Sequence, residues 1–207
     1  MTTTENNLNL SYLPEYVVAD PKLNIAPTVL RTVAEQVSFP LSQSDLERLA
    51  MLIQKFDQEQ HCVGLAAPQI GIAKRIIIFA VPDDPELKLR RPDLTDTMPK
   101  TVWINPEYTP LGDEMHEDYE GCFSVPNIIG LVKRYKSISY SAYDINGSTI
   151  AGTANGFLAR VMQHEIDHLN GKLFTDYLPS LDSALTVEEY RALRAYNKNN
   201  SDHDLNN

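Results

Sequence analysis

"ANGFLARVMQHEIDHLNG", residues 154–171, decides how this chain folds, because its apolar residues return at helical spacing directly after a stretch that alternates like a strand. Asn170-Gly171 closes it, glycine being suited to the left-handed position that follows a helix C-terminus. Just upstream, "KRYKSISYSAYDINGSTIAGT", residues 133–153, alternates apolar and polar residues on either side of Asn146-Gly147, a pair favoured in two-residue hairpin turns. Two antiparallel strands running into a helix predict an α+β fold, with antiparallel strands packed around that helix as its centre.

Further out, "RIIIFAV" at 75–81 is a β-branched run suited to a buried strand, and "TVWINPEYTPLG" resumes strand character. Between them residues 82–100 hold four prolines and mixed charge, which predicts a surface excursion. A first helix is expected at about 45–59, capped by Ser44 with Glu47 three residues on, and carrying Leu46, Leu49, Ile53 and Phe56 on its apolar face. Residues 1–25 read as an irregular N-terminal arm, 26–180 as the catalytic domain, and 181–207 as a C-terminal extension. That extension holds a helix near 186–197 and a tail, "SDHDLNN", expected to be disordered.

A chain of 207 residues with 43% hydrophobic composition suits one buried core. Lys and Arg number 18 against 28 Asp and Glu, a formal charge of −10, and no basic cluster offers a phosphate-binding stripe. Direct nucleic-acid binding is therefore not expected. No apolar run approaches the roughly 20 residues that span a bilayer, so no membrane association is expected. The N-terminus has no Lys or Arg before Lys22 and no apolar segment, unlike a signal or transit peptide, which points to the cytoplasm. Two cysteines, Cys62 and Cys122, are too few for a disulfide framework.

On the 154–171 helix, His164 and His168 are four apart and share a face, with Glu165 about 100° round from the first. Two imidazoles and a neighbouring carboxylate suit a metal with a bound water, the logic of H-E-x-x-H; a half-exposed helix with ordinary hydrogen bonds gives the same letters. A third ligand has to decide. Cys122, in the turn-like "DYEGCFSVP", is a candidate, although most lone cysteines are buried small hydrophobes. Cys62 suits that second description. In "VGLAAPQIG", residues 63–71, small residues describe backbone lying close to something, and Gln69 offers a neutral donor of the kind that stabilises an oxyanion.

"CVGLAAPQ" at 62–69, "EGCFS" at 120–124 and "QHEIDHLNG" at 163–171 together resemble, in order, the three motifs of the peptide deformylases, and the likeness runs from about Pro27 to Asp176. The sequence departs from the pattern at Cys62, where the family has glycine, and at Phe123, where it usually has leucine. The resemblance implies that Cys122, His164 and His168 hold one divalent metal, natively Fe(II), with zinc, nickel or cobalt able to replace it. It implies Glu165 as general acid and base, with Gln69 and the backbone N–H of Phe123 binding the carbonyl oxygen. The reaction implied is hydrolysis of the N-formyl group from polypeptides beginning with formyl-methionine.

Such a substrate would lie as an added strand on backbone of Val63, Gly64 and Gly121. Phe157, Arg160 and Val161, one or two turns before His164 on its face, are expected to line the pocket for the first side chain. Arg160 is the least expected of these, and the competing reading of it is an aliphatic stem packed on the rim with its guanidinium in solvent. Asp167 is expected at the surface or behind the ligands, and Glu120 is a candidate to pair with Arg134. Expected partners are formyl-methionyl nascent peptides, with the ribosome that presents them a further candidate. The rival functions are an H-E-x-x-H metallopeptidase, disfavoured because no third ligand follows His168, and a silent relative that binds N-terminal peptides or ribosomes without cleaving.

Overall fold

The structure is a computed structural model that describes residues 13–204, with side chains described to residue 197. Its helices are α1 (Thr28–Arg31), α2 (Gln43–Gln58), α3 (Pro85–Arg90), α4 (Gly156–Leu169) and α5 (Val187–Asp204). Its strands are β1 (Gly64–Ala66), β2 (Ile76–Val81), β3 (Met98–Pro110), β4 (Met115–Cys122), β5 (Val125–Tyr135), β6 (Ser137–Tyr143), β7 (Thr149–Asn155) and β8 (Leu185–Thr186). They form two antiparallel sheets, one of five strands in the order β1-β2-β3-β6-β7 and one of three in the order β4-β5-β8. The α+β arrangement expected around the 154–171 helix is the one found.

Helix α4 is central because it is buried nearly all round, its polar side chains included: of its 14 residues, only Gly156 and His164 are not buried. Leu158, Met162, Ile166 and Leu169 pack with Ile77, Phe79, Trp103 and Ile138 of the larger sheet. Phe79 meets Trp103 edge to face at 4.7 Å, the preferred arrangement of two rings in a core. Toward the smaller sheet, Gln163 imitates a strand partner, accepting from the Tyr135 N–H at 3.0 Å and donating to its carbonyl at 2.8 Å. Helix α2 covers the opposite side of β1 and β2 through Leu49, Leu52 and Phe56.

Both ends of α4 are fixed. At its start Gly156 has φ +57°, and a Cβ there would overlap the Asp93 carbonyl oxygen. At its end Arg75, 5% exposed, donates to Leu169 O at 3.1 Å, Asn170 Oδ1 at 2.9 Å and Pro106 O at 3.0 Å. The Ala34 N–H also donates to Leu169 O, at 2.8 Å, so the last turn of the helix is held from two sides. Gly171 follows at φ +70°, and a Cβ would come within 2.7 Å of the Arg31 carbonyl carbon. Replacing Gly171 with alanine should cost about 1–3 kcal/mol, because it adds both left-handed strain and a backbone clash. Thermal unfolding checks this: a midpoint lower by several degrees is expected, and an unchanged midpoint contradicts it.

Several details differ from the sequence expectations. The cap of α2 is Ser42, which accepts from the Asp45 N–H at 3.2 Å, and not Ser44; Leu46 is exposed and Leu52 takes its place in the core. The 82–100 excursion contains α3, started by Asp84, whose side chain accepts from the Leu87 N–H at 2.7 Å, with Pro85 where a missing N–H does no harm. Residues 133–135 belong to β5, so the hairpin around Gly147 (φ +84°) begins at Ser137. Helix α5 runs past 197 to Asp204, into the stretch expected to be disordered, and 205–207 lie outside the described residues. Within the arm, 1–12 lie outside the described residues, while Pro21–Leu23 form a short 3-10 turn capped by Asp20.

Candidate metal centre

The site forms where the end of β4 meets the C-terminal half of α4. The β4–β5 hairpin turns tightly after Cys122, which opposes Val125, and this delivers the thiol to the helix face bearing the histidines. One donor atom from each of Cys122, His164 and His168 lies within 4.8 Å of the other two. Cys122 Sγ is 3.3 Å from His168 Nε2. The second cysteine, Cys62, points elsewhere: its thiol donates to Gly64 O at 3.1 Å, and burial, with Glu165 nearby, pushes it up to about 12, so it stays neutral.

The donor set fits a divalent ion. His164 Nδ1 is 2.9 Å from Glu120 Oε2, so the ring donates there and leaves Nε2 for the shared point. Burial would lower the basicity of His164, but Cys122 and Glu120 beside it raise it well above the usual value; a cation would displace that proton. Burial keeps His168 neutral, well below the usual histidine range, with His164 adding to the effect. One thiolate and two imidazoles leave a tetrahedral ion an open position for water.

Behind His164 lies a buried ionic network. Glu120 accepts from Arg134 Nε and Nη2 at 2.9 Å each and from Arg160 Nη1 at 2.8 Å, while Arg134 Nη1 pairs with Asp167. Burial would raise the Glu120 carboxyl, but Arg134 and His164 hold it well below the usual carboxylate range. Two guanidinium groups thus balance two carboxylates in the interior, where an unpaired charge would cost several kcal/mol, on the order of 3–5 for a broken pair. Glu120 does pair with Arg134, as the sequence hinted, but as a buried pair. Asp167 is 2% exposed and sits behind the ligands, not at the surface. Of the two readings of Arg160, the rim one fails: the residue is 3% exposed, and its guanidinium reaches the carbonyls of Val132 (3.0 Å) and His116 (2.7 Å), not solvent.

Glu165 is 4% exposed, and among the described residues its Oε2 has no hydrogen-bond partner. Burial pushes its carboxyl up to about 7, so it can both take and give a proton near neutrality. Gly64 makes room for it, since a Cβ there would overlap Glu165 Oε1. Gln69 is fixed by accepting from the Ala66 N–H at 2.8 Å, which turns its Nε2 to Cys122 Sγ at 3.3 Å. A cavity of about 440 Å³ opens onto these groups.

Val63, Gly64, Gly121, Phe157, Arg160 and Val161 all line that cavity, as do Gln69 and Phe123, the latter 38% exposed at its mouth. His61, Arg91 and Ile129 line it too and carry no sequence signal. Gln163 and the Arg160 pairings were also missing from the sequence reading; a glutamine on an otherwise apolar helix face was the available clue to the first.

The profile of the family described as Polypeptide deformylase matches residues 20–184. Peptide deformylase 2 of Rickettsia conorii is 57% identical over 192 residues, 92% of this chain and 93% of that protein. The crystal structure of peptide deformylase from Ehrlichia chaffeensis is similar with a TM-score of 0.69 at 28% identity, covering 92% of this chain and 99% of the other. The Met-Ala-Ser-bound class I type b peptide deformylase from Acinetobacter baumannii gives a TM-score of 0.68 at 32% identity, covering 82% and 100%.

Proposed function

The chain belongs to the polypeptide deformylase family, and from that premise we propose that Cys122, His164 and His168 hold its divalent metal while Glu165, Gln69 and Phe123 carry the hydrolysis. The activity is the family's: a metal-dependent hydrolase removes the N-formyl group from the N-terminal methionine of new polypeptides and releases formate. The observation that carries the site assignment is a buried carboxylate, Glu165, with one oxygen unpartnered among the described residues, next to a cluster of one thiol and two imidazoles. The family match favours this reading over a metallopeptidase, and the intact set of ligands and carboxylate favours it over a silent binder.

A bound divalent ion supplies Lewis acidity, making water a nucleophile near neutral pH and polarising the carbonyl. Glu165 takes the proton of the attacking water and returns it to the departing nitrogen. Gln69 Nε2 and the Phe123 N–H donate to the carbonyl oxygen as it gains charge; losing one such donor typically costs about 3–4 kcal/mol in the transition state. Since Phe123 acts through its backbone, phenylalanine serves as well as leucine. Gly64 and Gly121 lie on β1 and β4, each an edge strand of its sheet, so their open sides suit an extended peptide entering between the sheets.

We take residues 26–180 as the catalytic unit and Fe(II) as the native metal, with zinc, nickel and cobalt as substitutes that the same ligands accept. Peroxide should then inactivate the iron form faster than the nickel or zinc form, because a redox-active ion beside a thiolate promotes its oxidation. Equal rates of inactivation would contradict iron–sulfur coupling. No described helix is long and apolar enough to cross a membrane. We place the activity in the cytoplasm, on chains emerging from the ribosome; with a net charge of −10, docking there would not rest on a basic face.

The pocket assignment has its own test. Val161, 5% exposed, lies one turn before Glu165 and lines the cavity with Phe157. Val161→Asp should lower kcat/KM for formyl-Met peptides roughly ten- to a hundredfold, the equivalent of about 1–3 kcal/mol for a poorly solvated polar group, with metal content unchanged. If the variant cleaves a panel of formylated dipeptides and tetrapeptides as the parent does, the first side chain binds elsewhere.

A further inference from the structure

The N-terminal arm touches both oxyanion-binding groups from outside the site. The Val17 N–H donates to Gln69 O at 2.8 Å, and the Ala19 N–H donates to Ser124 O at 2.8 Å. Between these two bonds the arm spans from the 3-10 turn Ala67–Ile70, which carries Gln69, to the two-residue turn Phe123-Ser124 that joins β4 to β5. Tyr16 adds a third attachment: its ring stacks on Phe123 with centroids 4.8 Å apart and planes 6° from parallel. The Lys55 ammonium lies over the same Tyr16 ring, 4.2 Å from its centroid, and is itself paired with Glu59 at 3.3 Å.

These contacts are well suited to fixing a backbone amide. A two-residue turn has few bonds of its own, and the direction of the Phe123 N–H depends on how the turn is held. On the cavity side Phe123 is open, with 38% of its surface exposed, so the ring is restrained chiefly by what lies against its face. Ser124 and Ala19 are 0% and 2% exposed, so the strand-like bond between arm and turn is shielded from competing water. Tyr16 supplies a flat partner to a ring that stands where the family usually has a leucine, so arm and turn are matched in this chain.

We propose that residues 16–19 form a strap that positions the two oxyanion donors, and that Tyr16 is a positioning residue acting through Phe123. The proposal rests on Gln69 and Phe123 being those donors. A donor turned away from the carbonyl oxygen weakens the transition state and leaves ground-state binding of the peptide little changed, so the effect falls on kcat. Outright removal of one such donor costs about 10²–10³ in kcat. A loosened one should cost a fraction of that, roughly tenfold.

The test compares the parent with Tyr16→Ala, Tyr16→Phe and Val17→Pro, the last removing the N–H that bonds Gln69 O. Formate release from formyl-Met-Ala-Ser, metal per chain and the unfolding midpoint are measured for each. Expected are a fall in kcat of roughly tenfold for Tyr16→Ala and for Val17→Pro, with KM and metal per chain as in the parent, and recovery to within about twofold for Tyr16→Phe. The strap is overturned if kcat of Tyr16→Ala stays within about twofold of the parent, or if its fall tracks lost metal, a matching rise in KM or failure of Tyr16→Phe to recover it. Should Tyr16→Ala not fold, Tyr16→Leu is judged by the same limits. A parent that releases no formate sinks the deformylase site itself, whereas an active parent with unaffected variants sinks only the strap.

Discussion

Replacing Glu165 with alanine should lower formate release by about 10²–10⁴-fold while the protein keeps its metal. The side chain is buried in the cavity wall with one oxygen unpartnered, and its carboxyl lies near neutrality, the condition for moving a proton in both directions. It is not among the atoms gathered around the shared point formed by Cys122, His164 and His168. Glu165→Gln refines the test, because it keeps the volume against Gly64 and removes only the titratable oxygen. Both variants are measured for turnover and for metal by elemental analysis. Metal loss in either would make Glu165 a ligand and overturn its assigned role.

Cys122→Ser should do the opposite, reducing metal affinity first and activity as a consequence. A neutral hydroxyl is a poor substitute for a soft thiolate, and it also withdraws the negative charge that faces His164 and His168. Changes behind the ligands commonly cost 10–100-fold in affinity, so loss of a ligand should cost at least roughly a hundredfold. Cobalt-loaded protein reports it directly: the thiolate-to-metal absorption of the parent should vanish in the variant. A full complement of tightly held metal with that absorption intact would exclude Cys122 from the site.

The helix and its chemistry were legible because both follow local periodicity: residues 157, 160, 161, 164, 165 and 168 share a side of α4, and spacing alone predicts that. Cys122 was not legible in that way. It is brought to the helix by the β4–β5 hairpin, a long-range event whose trace in sequence is the motif resemblance. Strands β4 and β5 themselves left little signal, because the buried positions of β5 include Gly130 and Arg134 and a buried residue of β4 is Glu120, so no apolar alternation appears. For the same reason a solvent-facing guanidinium stood as an alternative for Arg160. Its burial depends on Glu120 and on carbonyls of β4 and β5, partners that local pattern does not reveal. Helix α3 was hidden by the prolines in and around it, although the Asp84-Pro85 pair is a helix start as much as a turn.

The central claim is that one metal held by Cys122, His164 and His168 hydrolyses the formyl amide with Glu165. It is tested most directly by titrating metal-free protein with Fe(II) under argon and following formate release from formyl-Met-Ala-Ser. The account predicts no turnover without metal, a linear rise, and a break at one ion per chain in the parent, with the same one-ion binding but almost no turnover in Glu165→Ala. Formate release that is independent of metal, or a parent that binds one ion per chain and releases none, would contradict it.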